Sequence, residues 1–344
     1  MTPTTSLAPS STRSFAASSW GAAPSVRRPH QALVARLSHQ SVAKHYDAYA
    51  DIDWDGDAMR IEVDDPRWEK GADDPLGATD WYRSLPQPTR ARLGLHWISA
   101  QMKLGADFEG VLCRGLLELI TQLPSCAPEL RYAYHEVIEE CQHSLIFNEF
   151  VRRTGLQVRG LSGLEAIGSR QVVRFGRTFP ELFLLFVIAG ETPIDYVQRQ
   201  ELRKREALHP LLRRVMQIHV TEEARHLGFA KSAVREWVPR LGAWRLLQLR
   251  VRTPILLSVM TRQMVEPPGW LVREYGIPKS VLREAYRDNP AHQREIHAGL
   301  APVRQLCADT GIVTPRWATL WRSLGVWPSG DAGTPRLQRA EVQS

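Results

Sequence analysis

Apolar residues recur at helical spacing along most of the chain, and the strict alternation expected of strands is scarce. Residues 88–122 are periodic with few breakers, Pro124 and Pro128 bracket a turn, and 128–153 are again helical up to a stop at Gly155. The segment 157–179 is a mixed connection with room for a short helix. A third long helix is predicted over 180–204, a turn near His209–Pro210, and a fourth helix over 210–237. Beyond Pro239 two further helical stretches are predicted, 242–264 and 278–310. The pattern predicts an all-α protein with a four-helix centre.

The ends differ from this body. Residues 1–40, rich in Ser, Ala, Thr, Pro and Arg and free of acidic residues, read as a disordered leader without the apolar run of a secretory signal. Residues 328–344 read as a flexible tail. The helical domain is expected over 41–327, with its chemistry in a core at 88–240.

Composition narrows the class. The chain has 344 residues, 43% hydrophobic and 24% charged, with a net charge of +7. Its arginines are scattered, with Arg203, Lys204 and Arg205 as one short cluster, so neither a basic stripe nor a nucleic-acid-binding module is present. The mild basicity suits an acidic partner such as a carrier protein. Four cysteines without a CxxC pair indicate reduced thiols and a cytoplasmic protein. The most apolar run, 182–190, is far short of the ~20 residues of a membrane span. No dinucleotide loop or P-loop is visible.

The candidate chemistry lies in two repeats. Glu140 and His143 form an ExxH, and Glu223 and His226 form a second. On a helix, positions i and i+3 share a face, so each pair can reach one point. His219 extends the second stripe at i, i+4 and i+7. In an antiparallel hairpin, residues equidistant from the turn lie side by side. Reflecting Glu140 through Pro124–Ser125 lands on Glu109, with Asp107 as its competitor, and reflecting Glu223 through Ala207–Leu208 lands on Glu191. The chain thus writes Glu, turn, ExxH twice. A Glu from each of two helices and an ExxH from each of two others is the ligand set of di-iron or di-manganese carboxylate sites in ferritin-like bundles, and this donor set suits iron or manganese over thiolate-bound metals. Glu136 and Glu139 have no His three residues on and are assigned to the surface or to positions behind the ligands. Cys113 and Cys141 are expected as small core residues, and His135 and His209 as surface or turn histidines. Pro193, two residues after Glu191 inside a helical run, predicts a kink or π-bulge.

These residues resemble the di-iron N-oxygenases of the p-aminobenzoate N-oxygenase type. "HVTEEARH" resembles that family's HxxxExxH, "EECQH" its ExxH, and "AGETPIDY" the segment of its third glutamate, a likeness spanning residues 90–240. The resemblance implies a seven-ligand set, Glu109, Glu140, His143, Glu191, His219, Glu223 and His226. It implies a cytoplasmic homodimer in which two iron ions and dioxygen oxidise a small-molecule amine to the hydroxylamine, nitroso or nitro stage, in secondary metabolism. Electrons would come from an external donor protein or reductant. A C–H hydroxylase or desaturase and a metal-storage bundle are the alternatives. Asp195, one turn beyond Glu191, is expected to line the substrate cavity and take part in catalysis, where it would favour an ammonium over a carboxylate. Lys103 is placed to pair with it or to bind an anion.

Overall fold

The computed structural model describes residues 29–204 and 208–328. Among these residues there are helices and turns and no strand, and the order of the long helices follows the periodicity of the sequence. Twelve α-helices are present: α1 (Pro29–Ala43), α2 (Asp80–Ser84), α3 (Gln87–Ile120), α4 (Pro128–Thr154), α5 (Gly163–Thr178), α6 (Pro180–Lys204), α7 (Pro210–Trp237), α8 (Ala243–Val265), α9 (Gly269–Glu274), α10 (Lys279–Leu282), α11 (Pro290–Asp309) and α12 (Ala318–Ser323).

Two hairpins, α3–α4 and α6–α7, pack against each other as a four-helix bundle. Each partner buries the face that its apolar period supplies, and helix on helix is the arrangement that hides such stripes. α4 opens with Pro128 at its first position and closes on Gly155, whose φ of 65° is the left-handed conformation that a residue without Cβ adopts at little cost. α7 opens on His209, whose side chain accepts from the Leu211 N–H. α5 lies against α3 and α6, α8 against α6, and α11 against α6 and α7, so the bundle is sheathed on these sides. One core runs through Phe108, Leu112, Phe183, Ile188, Phe229 and Leu300.

Several expectations change. The leader was expected to reach residue 40, yet 29–43 form α1, which packs on α4 and α7 with Val34 and Leu37 buried. Val34 and Leu37 share its buried face with His30, Ser38 and Ser41, and His30 fixes it: Nδ1 lies 2.8 Å from Ser232 Oγ and Nε2 lies 3.2 Å from Glu129. Residues 1–28, and 329–344 of the tail, lie outside the described residues. The 157–179 connection carries a full helix, α5, because Ser162 and Glu165 cap its start reciprocally. The stretch 278–310 is broken: a π-turn over Arg283–Arg287 ends the short α10, and Asn289 with Pro290 starts α11 afresh. α6 stays α-helical through Pro193 without a π-turn. His209 stands at the turn before α7, as one of its two expected places, but it is buried there and stacked on Trp68, 4.1 Å between centroids. Cys141 is exposed, on the outer face of α4.

If α1 is a docked part of the body, Leu37→Ala should lower stability by about 2–4 kcal/mol, the usual cost of a buried leucine truncation. Urea unfolding measures this, and a change below about 0.5 kcal/mol would contradict the docking.

Candidate metal centre

Each bundle helix contributes one glutamate to a common point: Glu109 from α3, Glu140 from α4, Glu191 from α6 and Glu223 from α7, all buried. The ExxH spacing brings His143 beside Glu140 (Nδ1 to Oε2, 3.0 Å) and His226 beside Glu223 (Nδ1 to Oε1, 2.9 Å). His219, two turns before His226, points into the same space. The seven side chains assemble in three overlapping groups: Glu140 with His143, Glu223 and His226; Glu109 with His143 and His219; Glu191 with His219 and Glu223. Within each group, one donor atom per residue lies within 4.8 Å of the others. Asp107, the competitor of Glu109, faces elsewhere; it is ion-paired with Lys103 and accepts from the Leu161 N–H at 3.0 Å. Lys103 is thereby occupied and does not meet Asp195.

The helices approach closely where this happens. A Cβ on Gly190 would lie 2.3 Å from Phe108 Cζ, so only glycine lets the phenyl ring beside Glu109 seat against the residue before Glu191. Phe147 covers His219 from α4, with ring centroids 5.4 Å apart.

The charges are not balanced by protein groups alone. Burial pushes the carboxyls of Glu109, Glu191 and Glu223 above the usual carboxylate range, and their mutual repulsion adds to it. Burial acts the same way on Glu140, but the imidazoles of His226 and His143 outweigh it and hold that carboxyl well below the range. Against burial, contacts with Glu140 and Glu222 raise His143 to about 10, whereas burial and the neighbouring His143 depress His219.

Several donors have no partner. Glu109 Oε2, Glu191 Oε2 and Glu223 Oε2 are buried without a hydrogen bond. His219 Nε2 lies 3.7 Å from Glu109 Oε1 and 3.9 Å from Glu191 Oε2, beyond hydrogen-bond reach. Buried carboxylates with unpartnered oxygens around one space fit cations placed between them. The donor set, oxygen and imidazole nitrogen without thiolate, fits iron or manganese.

Behind these residues stands a second pair of glutamates: Glu139, which spacing left between the surface and a place behind the ligands, and Glu222, which spacing had not singled out. The His143 Nε2–H donates to Glu222 Oε2 (3.0 Å), and the His226 Nε2–H donates to Glu139 Oε2 (2.7 Å). The arrangement is crossed: the glutamate preceding each ExxH orients the histidine of the other helix. Arg225, buried between them, binds Glu139 at 2.9 Å and Glu222 at 3.2 Å, and the Tyr46 N–H donates to Glu222 at 3.1 Å. A carboxylate on the outer nitrogen fixes the ring and leaves the inner nitrogen free to ligate. The doubled glutamates, Glu139–Glu140 and Glu222–Glu223, are the sequence signal of this layer. Glu136 is also buried, with neither oxygen hydrogen-bonded, and burial pushes its carboxyl well above the usual range.

A cavity of about 690 Å³ opens from Glu109, Glu191 and His219. The expectation that Asp195 lines it is corrected. Asp195 is bound by Arg199 at 2.8 and 2.9 Å, and Arg199 in turn donates to the Val220 carbonyl of α7, so the aspartate is drawn to the α6–α7 seam and is absent from the cavity wall. Four residues on a helix turn by 400°, and the extra 40° suffices to separate it from Glu191.

Comparison with known proteins agrees with this geometry. Residues 28–311 match the p-aminobenzoate N-oxygenase AurF family. The chain is 35% identical over 312 residues to a Mycobacterium tuberculosis protein named Uncharacterized protein Rv0885 and to a Mycobacterium bovis protein named Uncharacterized protein Mb0909, covering 90% of each chain in both cases. No solved structure matches it. The chain belongs to the AurF family, whose members are helical di-iron N-oxygenases.

The crossed pairs make two expectations. Glu139→Gln and Glu222→Gln should each weaken iron binding by about 10–100-fold with helicity unchanged; unaltered affinity in both would remove their orienting role. Because burial shifts the carboxyls of Glu109, Glu191 and Glu223 upward and ligation requires their ionised forms, loading the metal-free protein should release protons, read with an indicator in weak buffer.

Proposed function

We propose that the chain is a non-haem di-iron monooxygenase that uses dioxygen to oxidise an amine of a small-molecule substrate. The observation that carries the reading is the convergence of seven buried oxygen and imidazole donors, several without a protein partner, at the inner end of a large cavity. Glu109, Glu140, Glu191 and Glu223 would hold two iron ions together with His143, His219 and His226. Bound there, iron supplies the redox capacity for activating dioxygen.

The residues of the chain do the remaining work. Four carboxylates offset the cationic charge, and Glu139 and Glu222 hold two imidazoles in the orientation that ligation needs. Phe108 and Phe147 line the cavity beside Glu109 and His219 and keep that end apolar, so a substrate nitrogen enters a site with little competing water. Glu109, Glu191 and His219 are the three of the seven that border the cavity, which makes their side of the cluster the one that faces substrate.

Several parts of the proposal lie outside the site. An external protein or reductant supplies electrons. The oxidation proceeds to a hydroxylamine, nitroso or nitro product in secondary metabolism, and the enzyme works in the cytoplasm. Among the described residues no helix is long and apolar enough to cross a membrane. A homodimer is supported by an exposed apolar stripe on α4, Tyr134, Ile138 and Leu145, of the kind that marks protein contacts.

Metal-free protein loaded with ferrous iron without oxygen should take up about two ions per chain. Exposure to ¹⁸O₂ with a panel of amines should then yield products carrying the label on nitrogen, read by mass spectrometry. Label on carbon would instead indicate a C–H hydroxylase, and active protein without iron would sink the proposal. His219→Ala should keep the helical fold, lower the iron stoichiometry and abolish turnover; normal turnover would remove His219 from the ligand set.

A further inference from the structure

The cavity that begins at Glu109, Glu191 and His219 changes character along its wall. Beside the metal donors it is apolar, with Phe108, Phe147 and Pro193. Four polar groups are buried elsewhere in the wall with a side-chain atom that no hydrogen bond satisfies: Trp97 Nε1, Gln198 Oε1, Thr261 Oγ1 and the Tyr286 hydroxyl. Gln198 follows Glu191 by seven residues, two turns along the same face of α6. Buried polar atoms without partners are costly, so these are places for water or for polar atoms of a bound molecule.

The outer part of the wall is acidic. Asp73 and Glu295 are exposed to solvent there, and Asp74 is half-buried. Glu201, which has a partner of its own, also borders the cavity. Among the described residues the wall carries one ammonium, Lys70, and no guanidinium. Lys70 is already engaged: its Nζ lies 3.3 Å from Asp74 Oδ2 and 4.0 Å from the centre of the Trp97 ring. Arg304, buried on α11, donates to the His297 carbonyl and is not part of the wall. This acidity stands against a chain of net charge +7, so it is local.

Size points the same way as charge. A cavity of about 150 Å³ already holds benzene; one of about 690 Å³ has room for a substrate much longer than a single ring.

We propose that the cavity selects an elongated amine with an apolar body and a positively charged far end, and discriminates against one carrying a carboxylate there. This specificity rests on the oxygenase reading given above. A carboxylate entering the cavity meets charges of its own sign and no free cation to pair with. A cation is drawn toward Asp73, Asp74 and Glu295 as the amine at its other end approaches the metal donors. Two of these carboxylates are exposed, so the preference is moderate and falls as salt screens it.

Three probes on one skeleton test this: 4-aminobiphenyl bearing a 4′-aminomethyl, a 4′-carboxamide or a 4′-carboxylate group. Each is titrated calorimetrically into iron-loaded protein without oxygen. The aminomethyl probe should bind about tenfold or more tightly than the carboxylate, the carboxamide should fall between, and the gap should narrow at high salt. In D74N the side chain can still accept the backbone bonds it takes from Leu76 and Gly77, but Lys70 is released. The carboxylate probe should tighten in that variant, and E295Q combined with it should close most of the gap. Equal or tighter binding of the carboxylate to the unaltered protein, an unchanged gap in the double variant, or no binding of any probe would overturn the proposal. Metal-free protein should rank the probes in the same order, because the acidic wall belongs to the chain. Iron stoichiometry on the same samples reports separately on the metal site, so failure of the specificity and failure of the oxygenase reading are distinguishable.

Discussion

Four glutamates, one from each helix of a bundle, meet at its buried centre, and their charge has to be compensated. Leaving even one carboxylate buried and ionised costs several kcal/mol. Burial, with mutual repulsion, pushes the carboxyls of Glu109, Glu191 and Glu223 above their usual range, while the neighbouring carboxylates hold the imidazoles of His143 and His226 above theirs against the pull of burial. Two divalent cations between the same donors would replace that arrangement with one in which every carboxylate has a counter-charge. The bundle serves the same need, since its two side-by-side hairpins bring the four glutamates to one level. Gly190, which leaves room for the Phe108 ring beside Glu109, and the buried Arg225 behind the histidines maintain it.

The crossed pairing of Glu139 with His226 and of Glu222 with His143 ties the two hairpins together through the site itself. Each EExxH segment supplies its second glutamate and its histidine to the centre and its first glutamate to the histidine of the opposite helix. A change in the packing of α4 against α7 therefore changes the orientation of the histidines on both. Structure and function are coupled here through hydrogen bonds of 2.7 and 3.0 Å rather than through a flexible segment.

Much of this was legible in the sequence. Helical period placed the four bundle helices, and reflection through two turns brought Glu109 and Glu191 opposite the two ExxH pairs. That worked because a helical hairpin has nearly fixed geometry, so spacing translates directly into position. What was not legible depends on side-chain direction and tertiary contact. Asp195 satisfies the i+4 rule with Glu191, but Arg199, a further turn along, takes it to another face. α1 carries too few apolar residues to stand out in a polar, proline-containing leader, and its burial follows from a surface that α4 and α7 present only after folding. Glu222 was hidden because its partner, His143, lies 79 residues away.

The most direct measurement of the central claim is the anomalous scattering of crystals of iron-loaded protein at the iron edge. Two peaks should lie among the side chains of Glu109, Glu140, Glu191, Glu223, His143, His219 and His226, with Glu139 and Glu222 still bonded to the outer nitrogens of His226 and His143. Iron found elsewhere in the molecule, or an absence of peaks among these residues in protein shown to contain iron, would contradict the account.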